Sequence, residues 1–169
     1  FGRLAQAQAA RARELKDRRQ RAQQISDAWQ TALEVLSDSE ERFRSLFENF
    51  PLAYYSLDIA GQFLEVNREL CALLGYDRHE LIGRAFSDLW IGARRAGFPE
   101  EFGQFLHSGR MSGEVPLRRK DGGERVAIIE GRVQRDGQGN FLRTHCVLTD
   151  ITERKQAEDL VRANSARFY

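Results

Sequence analysis

The sequence predicts an α+β domain with an antiparallel sheet, joined to a long N-terminal helix. Residues 1–47 contain no proline and one glycine, and they are rich in Ala, Gln, Arg, Glu and Leu, all good helix formers. From Phe50-Pro51 onward the chain changes to short apolar runs separated by Gly, Asp and Asn turn signals. Two strand-like runs, several short helical segments and three further strand-like runs follow, and that order makes an α+β domain.

The long helix has a heptad period. With Leu15 at position a, one row reads Phe1, Gln8, Leu15, Ala22, Trp29, Leu36 and Phe43, and the d row reads Leu4, Arg11, Arg18, Ile25, Ala32, Ser39 and Leu46. A narrow apolar seam kept this long argues for a left-handed coiled coil. Glu14 at g and Arg19 at the next e attract across a parallel pair, so a homodimer through residues 1–46 is expected. Its interface is Leu15, Ala22, Ile25, Trp29, Ala32, Leu36 and Phe43. Arginines at two d positions place the stable half between Ala22 and Leu46. Leu33 and Val35 widen the apolar face, which also fits a helix packed on its own domain. Ser37-Asp38-Ser39-Glu40 reads as a capping box, but the heptad frame passes through it unchanged, so a bend is expected rather than a break.

The globular part can be taken in order. Residues 52–67 hold two β-like runs around the Asp58-Ile59-Ala60-Gly61 turn. Asn67 caps a helix that carries Leu70, Cys71, Leu73 and Leu74 and stops at Gly75. Asp77-Arg78-His79-Glu80 opens a short helix ending near Gly83. Phe98-Pro99-Glu100-Glu101 reads as a helix start, with proline at the first helical position, and Ser108-Gly109 as its end. Three strands remain, GEVPLRRK, ERVAIIEGRV and FLRTHCVLTD, split by Asp121-Gly122-Gly123 and by Asp136-Gly137-Gln138-Gly139-Asn140. The last strand runs into a helix from Glu153, whose apolar positions Ala157, Val161 and Phe168 suit a second coiled coil.

Composition limits the function. With 169 residues, 41% hydrophobic and 30% charged, the chain is sized for one globular core. No apolar run approaches the roughly 20 residues of a membrane span and no signal-peptide pattern is present, so a soluble, cytoplasmic segment is expected. The chain starts without methionine and stops inside a helical pattern, so both ends read as cuts through a longer protein. Residues 1–25 are basic, but no aromatic residues interleave with the charges and the net charge is +1, which fits a solvated helix face better than a nucleic-acid or lipid partner. Cys71 and Cys146 lack metal or disulfide spacing and read as reduced core thiols.

The pieces ERFRSLFENFPLAYYSLDIAGQFLEVN, ELCALLGYDRHELIGRAF, EVPLRRKDGGERV and TDITERKQAEDL, within residues 41–160, together resemble a PAS domain. The resemblance implies a five-stranded antiparallel sheet of order 2-1-5-4-3 with short helices over one face. It sets the domains at 1–46 for the coiled-coil helix, 47–152 for the PAS domain and 153–169 for the start of a signalling helix. Family members are mostly sensor and dimerisation modules of bacterial signalling proteins, joined by helices to histidine kinases, diguanylate cyclases or phosphodiesterases. It also implies a coupling role for Asp150 and Thr152 where strand meets helix, with Asp150 paired to Arg118, Arg119, Lys120 or Arg84 and Thr152 capping the helix.

Catalysis is not expected, since His79, His107 and His145 show no arrangement with a second catalytic group. Light-sensing relatives bond flavin through the cysteine of a G-x-N-C-R-F motif, and Phe86 of Gly83-Arg84-Ala85-Phe86 stands in its place. Haem-binding relatives use a histidine well upstream of the helix-terminal glycine, and His107 lies too near Gly109 to match. The resident cofactor is therefore left open, with no metal expected. Candidate pocket residues are Phe63, Leu74, Phe86, Leu89, Trp90, Phe98, Phe102, Phe105 and Leu106. They fit a small apolar or aromatic ligand, while a solid core fits a dimerising relay without ligand.

Overall fold

The computed structural model describes residues 2–165, apart from the side chains of Gly2, Leu4, Ala5 and Ser165. The seam residues Phe1 and Leu4 and the exit-helix residue Phe168 thus lie outside the described residues or side chains. The chain divides into two compact units, Phe1–Leu46 and Phe47–Tyr169. Helix α1 runs over Gly2–Asn49 without interruption, and Ser37-Asp38-Ser39-Glu40 stays helical. Leu15, Ile25, Trp29, Leu36 and Phe43 are between 57% and 67% exposed. Ala22 and Ala32 are exposed with them. Glu14 pairs with Arg18 one turn on, at 3.2 Å.

The second unit contains β1 (Ala53–Leu57), β2 (Phe63–Val66), α2 (Arg68–Leu74), α3 (Arg78–Leu81), a 3-10 turn (Phe86–Leu89), α4 (Arg94–Ser108), β3 (Arg110–Arg118), β4 (Glu124–Arg135), β5 (Phe141–Asp150) and α5 (Thr152–Ser165). The five strands form one antiparallel sheet of order β2-β1-β5-β4-β3, as expected from the resemblance.

Local chemistry explains the short elements. Asp58 Oδ1 accepts from the backbone N–H groups of Ala60 and Gln62, both at 2.9 Å, and Gly61 takes the left-handed φ of +79° that closes this turn. A side chain at Gly61 would meet the ring of Phe98 at 3.0 Å, so the turn also seats α4. Asn67 is fully buried and satisfied on both sides of its amide. Its oxygen accepts from Tyr54 N at 2.9 Å and Leu70 N at 3.1 Å, and its nitrogen donates to the carbonyls of Leu52 at 2.9 Å and Phe47 at 3.3 Å. One residue thereby fastens α2, β1 and the last turn of α1. The Asp77–Glu80 capping box forms as predicted.

Helix α4 differs from the sequence expectation. It begins at Arg94, and Pro99 lies inside it rather than at its first position. The early start follows from two anchored arginines. Arg94 donates to the Glu114 carbonyl at 2.5 Å, lies 3.3 Å from the Glu101 carboxylate and covers the Trp90 ring at 5.4 Å. Arg95 holds Asp88 at 2.6 Å. These contacts offset part of the loss of the backbone hydrogen bond that Pro99 cannot donate. Strand β3 also begins earlier than expected, at Arg110.

The core lies between the sheet and the short helices, and Gly131 is its tightest point. A Cβ there would sit 2.9 Å from Cys146 Sγ and 3.0 Å from the Phe105 ring, whereas one at Gly113 on the facing strand would meet nothing within 4 Å. Gly131→Ala should therefore cost about 1–3 kcal/mol through overpacking, and Gly113→Ala should be tolerated. Urea melts of the two variants check this, with equal midpoints counting against a close-packed core at Gly131.

Candidate functional site

Strand alternation aims one face of the sheet at the helices. Met111, Gly131, Cys146 and Tyr55 stand abreast across β3, β4, β5 and β1 on that inner face. Phe86, Trp90, Phe98, Phe102 and Phe105 cover them. Phe98 and Phe102 stack at 5.2 Å, while Trp90 meets Phe98 edge-on at 5.1 Å. The cavity left among these rings is about 10 Å³, the room for about one water molecule. Of the predicted pocket residues, those five rings line the cavity. Phe63, Leu74 and Leu89 are buried in the wider core, and Leu106 is half-buried against it. Tyr55, Leu57, Met111 and Cys146 also line the cavity. Strand alternation was the signal for Tyr55 and Leu57, since both precede the turn at spacing two.

Polar groups at this core are few. Burial pushes the Cys146 thiol up to about 11 and the fully buried Tyr55 hydroxyl well above its ordinary value. Both stay protonated at neutral pH. Trp90 Nε1–H is buried without a hydrogen-bond partner among the described residues. Cys71 is half-buried and, like Cys146, is a free thiol. Among the described residues no group of His, Cys, Asp and Glu is arranged to hold a metal.

The joint between β5 and α5 differs from expectation in both of its partners. Asp150 stands opposite Ala127 on β4, so the cation that reaches it is Arg125, two residues along that strand, with Nε 3.5 Å from Oδ2. Arg118 lies 3.9 Å from Glu124 within its own hairpin, and Arg119 lies 3.2 Å from Asp121 and donates to the Ala72 carbonyl of α2 at 3.5 Å. Arg84 pairs with Asp88 at 3.9 Å and Lys120 with Glu80 at 2.7 Å. The capping role also falls to Asp150, whose Oδ1 accepts from Thr152 N at 2.9 Å and from the Thr152 hydroxyl at 2.5 Å. Thr152 Oγ1 in turn accepts from Val126 N at 3.0 Å, and Ile151 N donates to Val126 O at 2.8 Å. The first turn of α5 is therefore bonded to β4. Lys155 Nζ adds a 2.8 Å ion pair with Glu114 on β3.

The opposite face of the sheet carries a polar chain that sequence reading did not find. The Tyr54 hydroxyl and His145 Nδ1 are 2.5 Å apart, and His145 Nε2 lies 2.8 Å from Gln134 Oε1. With the Gln134 oxygen accepting, Nε2 carries the imidazole proton and Nδ1 accepts from Tyr54. Phe47 packs edge-on against Tyr54 at 5.1 Å. Burial, with Glu65 second, pushes the Tyr54 hydroxyl up to about 12. Burial, with Arg143 second, holds His145 below its usual value, while Glu65 opposes. His145 and Gln134 come from strands whose register the sequence does not reveal.

A profile of the PAS fold matches residues 41–151. The chain belongs to the PAS family. It is 28% identical over 138 residues to a methyl sulfide methyltransferase-associated sensor of Methanosarcina acetivorans, a match covering 81% of this chain and 14% of that protein. It is 27% identical over 134 residues to the probable diguanylate cyclase DgcE of Escherichia coli, covering 74% of this chain and 12% of that one. The PAS domain of an HTR-like protein from Haloarcula marismortui superposes with a TM-score of 0.64 at 26% identity, over 72% of this chain and 99% of that one. The chain thus spans about an eighth of the curated relatives' length. Among the described residues no helix is long and apolar enough to cross a membrane.

The His145 shift has a defined sign. A histidine whose folded value lies below its unfolded one binds fewer protons when folded, so it contributes stability above its ordinary value of 6.5 that is lost as pH falls through 6.5 toward the folded value. Urea midpoints of the native chain should therefore rise with pH across the window just below 6.5, and His145→Gln should flatten that slope. An unchanged slope would assign it to other groups.

Proposed function

We propose that this chain is a cytoplasmic sensor-family module of a longer bacterial signalling protein, one that dimerises through α1 and relays movement of its sheet into α5. The effector is a histidine kinase, diguanylate cyclase or phosphodiesterase in the rest of the protein, and this segment is non-catalytic. The relatives, a sensor and a probable diguanylate cyclase, support that setting. The observation that carries the reading is the joint. Only Ile151 separates β5 from α5, and Asp150, Thr152 and Val126 bond strand to helix with no slack between them.

The relay works without a resident small molecule in this conformation, because the rings of α4 and the 3-10 turn fill the core to a cavity of about 10 Å³. Neither a flavin adduct nor a haem belongs to this reading. Phe86 is buried among Tyr55, Phe63 and Trp90, and His107 is exposed in the last turn of α4. A second reading, a sensor of a small apolar or aromatic ligand, is favoured by the buried Trp90 N–H that lacks an acceptor. It requires Phe98 and Phe102 to swing away with α4. Native mass spectrometry followed by denaturation separates the two readings by whether a small molecule is released.

Dimerisation is proposed on the exposed a and d side chains of α1. Replacing Trp29 and Leu36 together by lysine should place unpaired charges in the seam, at several kcal/mol for each site unless the helices separate. Sedimentation at low micromolar concentration should find the wild type dimeric and the double variant monomeric. A dimeric double variant would move the interface elsewhere.

The relay itself is tested in the full-length protein with its native effector. Asp150→Ala and Thr152→Val should each lower stability by about 1–3 kcal/mol while uncoupling output from stimulus. Arg118→Ala, which breaks only a pair within the β3–β4 hairpin, should leave output intact. If all three variants respond as the wild type does, the joint acts only as a helix cap.

A further inference from the structure

The outer face of the sheet holds an arrangement of charge that folding alone does not account for. Arg110 on β3 stands opposite Arg132 on β4, and Arg132 stands opposite His145 on β5. Three basic side chains are therefore abreast on one face, separated by a strand spacing of about 4.8 Å. Like charges directly opposite destabilise a sheet. Among the described residues no carboxylate lies within ion-pair distance of either guanidinium. Glu130, opposite Ser112 and Val147 in the adjoining row, is the only carboxylate on the lining.

The same row borders an open cleft of about 480 Å³, lined among others by Tyr54, Arg110, Ser112, Arg132 and His145. Its floor is held by the Tyr54–His145–Gln134 chain. We infer that this cleft binds a small oxyanion-bearing molecule, gripped by the guanidinium groups of Arg110 and Arg132 beside the imidazole of His145. A guanidinium is planar and meets carboxylate or phosphate oxygens two at a time, so two adjacent forks suit a phosphate or a dicarboxylate. An anion converts the repulsion between the two arginines into shared attraction. It also draws a proton onto His145, whose Nδ1–H then donates where it had accepted from Tyr54. The charged groups facing His145 are Arg132 from β4 and Arg143 from its own strand, the latter paired with Glu65 of β2 at 3.0 Å. The inner cavity lies on the other face of the sheet, although Met111 and Cys146 border both. The inference does not depend on how the joint relays a signal.

The test uses the 169-residue chain, isotope-labelled and titrated at constant ionic strength with inorganic phosphate and, separately, with succinate. Backbone amide signals of Arg110, Arg132 and His145 should shift saturably with at least one of the two anions, and the titration midpoint of the His145 ring should rise. Arg110→Gln and Arg132→Gln should each weaken binding about tenfold or more, as the loss of a charge-assisted hydrogen bond predicts. The double variant should not bind, should melt no lower than the wild type because the repulsion is gone, and Arg118→Gln should bind as the wild type does. Saturation by phosphate alone indicates a phosphate-bearing ligand, and by succinate alone a carboxylate-bearing one. Shifts that grow without saturating for both anions, or saturation that survives the double substitution, overturn the inference.

Discussion

Strand β5 has a neighbour on each side and a different environment on each face, and the rest of the second unit is arranged around that position. It pairs antiparallel with β1 and with β4, so its backbone groups are committed on both edges. Thr144, Cys146 and Leu148 are buried against the inner core, while His145 belongs to the outer polar chain. A middle strand held this way moves with its neighbours or not at all. Its far end keeps that constraint, because Ile151 is itself buried and donates to Val126 before α5 begins. A flexible linker would absorb displacement there, whereas this junction leaves no unbonded residue between strand and helix.

Helix α4 is the element of the inner layer with the most opposed forces acting on it. It supplies Phe98, Phe102 and Phe105 to the core, which favours a fixed position. Pro99 deprives the carbonyl of Arg95 of its helical donor, and the helix start has no side-chain cap. Arg94 and Arg95 compensate with contacts that are largely exposed, and exposed ion pairs contribute little individually. The stacked Phe98 and Phe102 therefore sit on the part of the layer least secured by its own backbone.

Much of the fold was legible because its signals are local. The Asn67 cap of α2, the Asp77 capping box, Gly75, Gly109 and the two Asp-Gly turns each act within a few residues, and each stands where the sequence placed it. The start of α4 was not legible, since the anchors of Arg94 include the Glu114 carbonyl, 20 residues away. The cation for Asp150 does come from the β3–β4 hairpin, but strand register opposes Asp150 to Ala127 and so selects Arg125 rather than Arg118, Arg119, Lys120 or Arg84. The outer cleft was missed for the same reason. Period-two alternation tells which face Arg132 and His145 occupy, yet Arg110 lies before the strand that the sequence predicts, and only the pairing of three strands sets the three abreast.

Tyr54 and Tyr55 tie the two faces of the sheet together. They are adjacent in β1, so their side chains leave on opposite faces, Tyr55 toward Cys146 in the core and Tyr54 toward His145 outside. Cys146 and His145 are adjacent in β5 in the same way. A slip of β1 by one residue against β5 would turn Tyr54 toward the ring-lined core and Tyr55 toward water and separate each from its partner on β5, so the two faces lock one register between them. The same lock couples the faces. A ring displaced against Cys146 and a proton moved on His145 act on the same stretch of β5 backbone, a few residues before the point at which Asp150 holds α5. Both faces thus meet the exit helix through one strand, which is the geometric basis of the proposed relay.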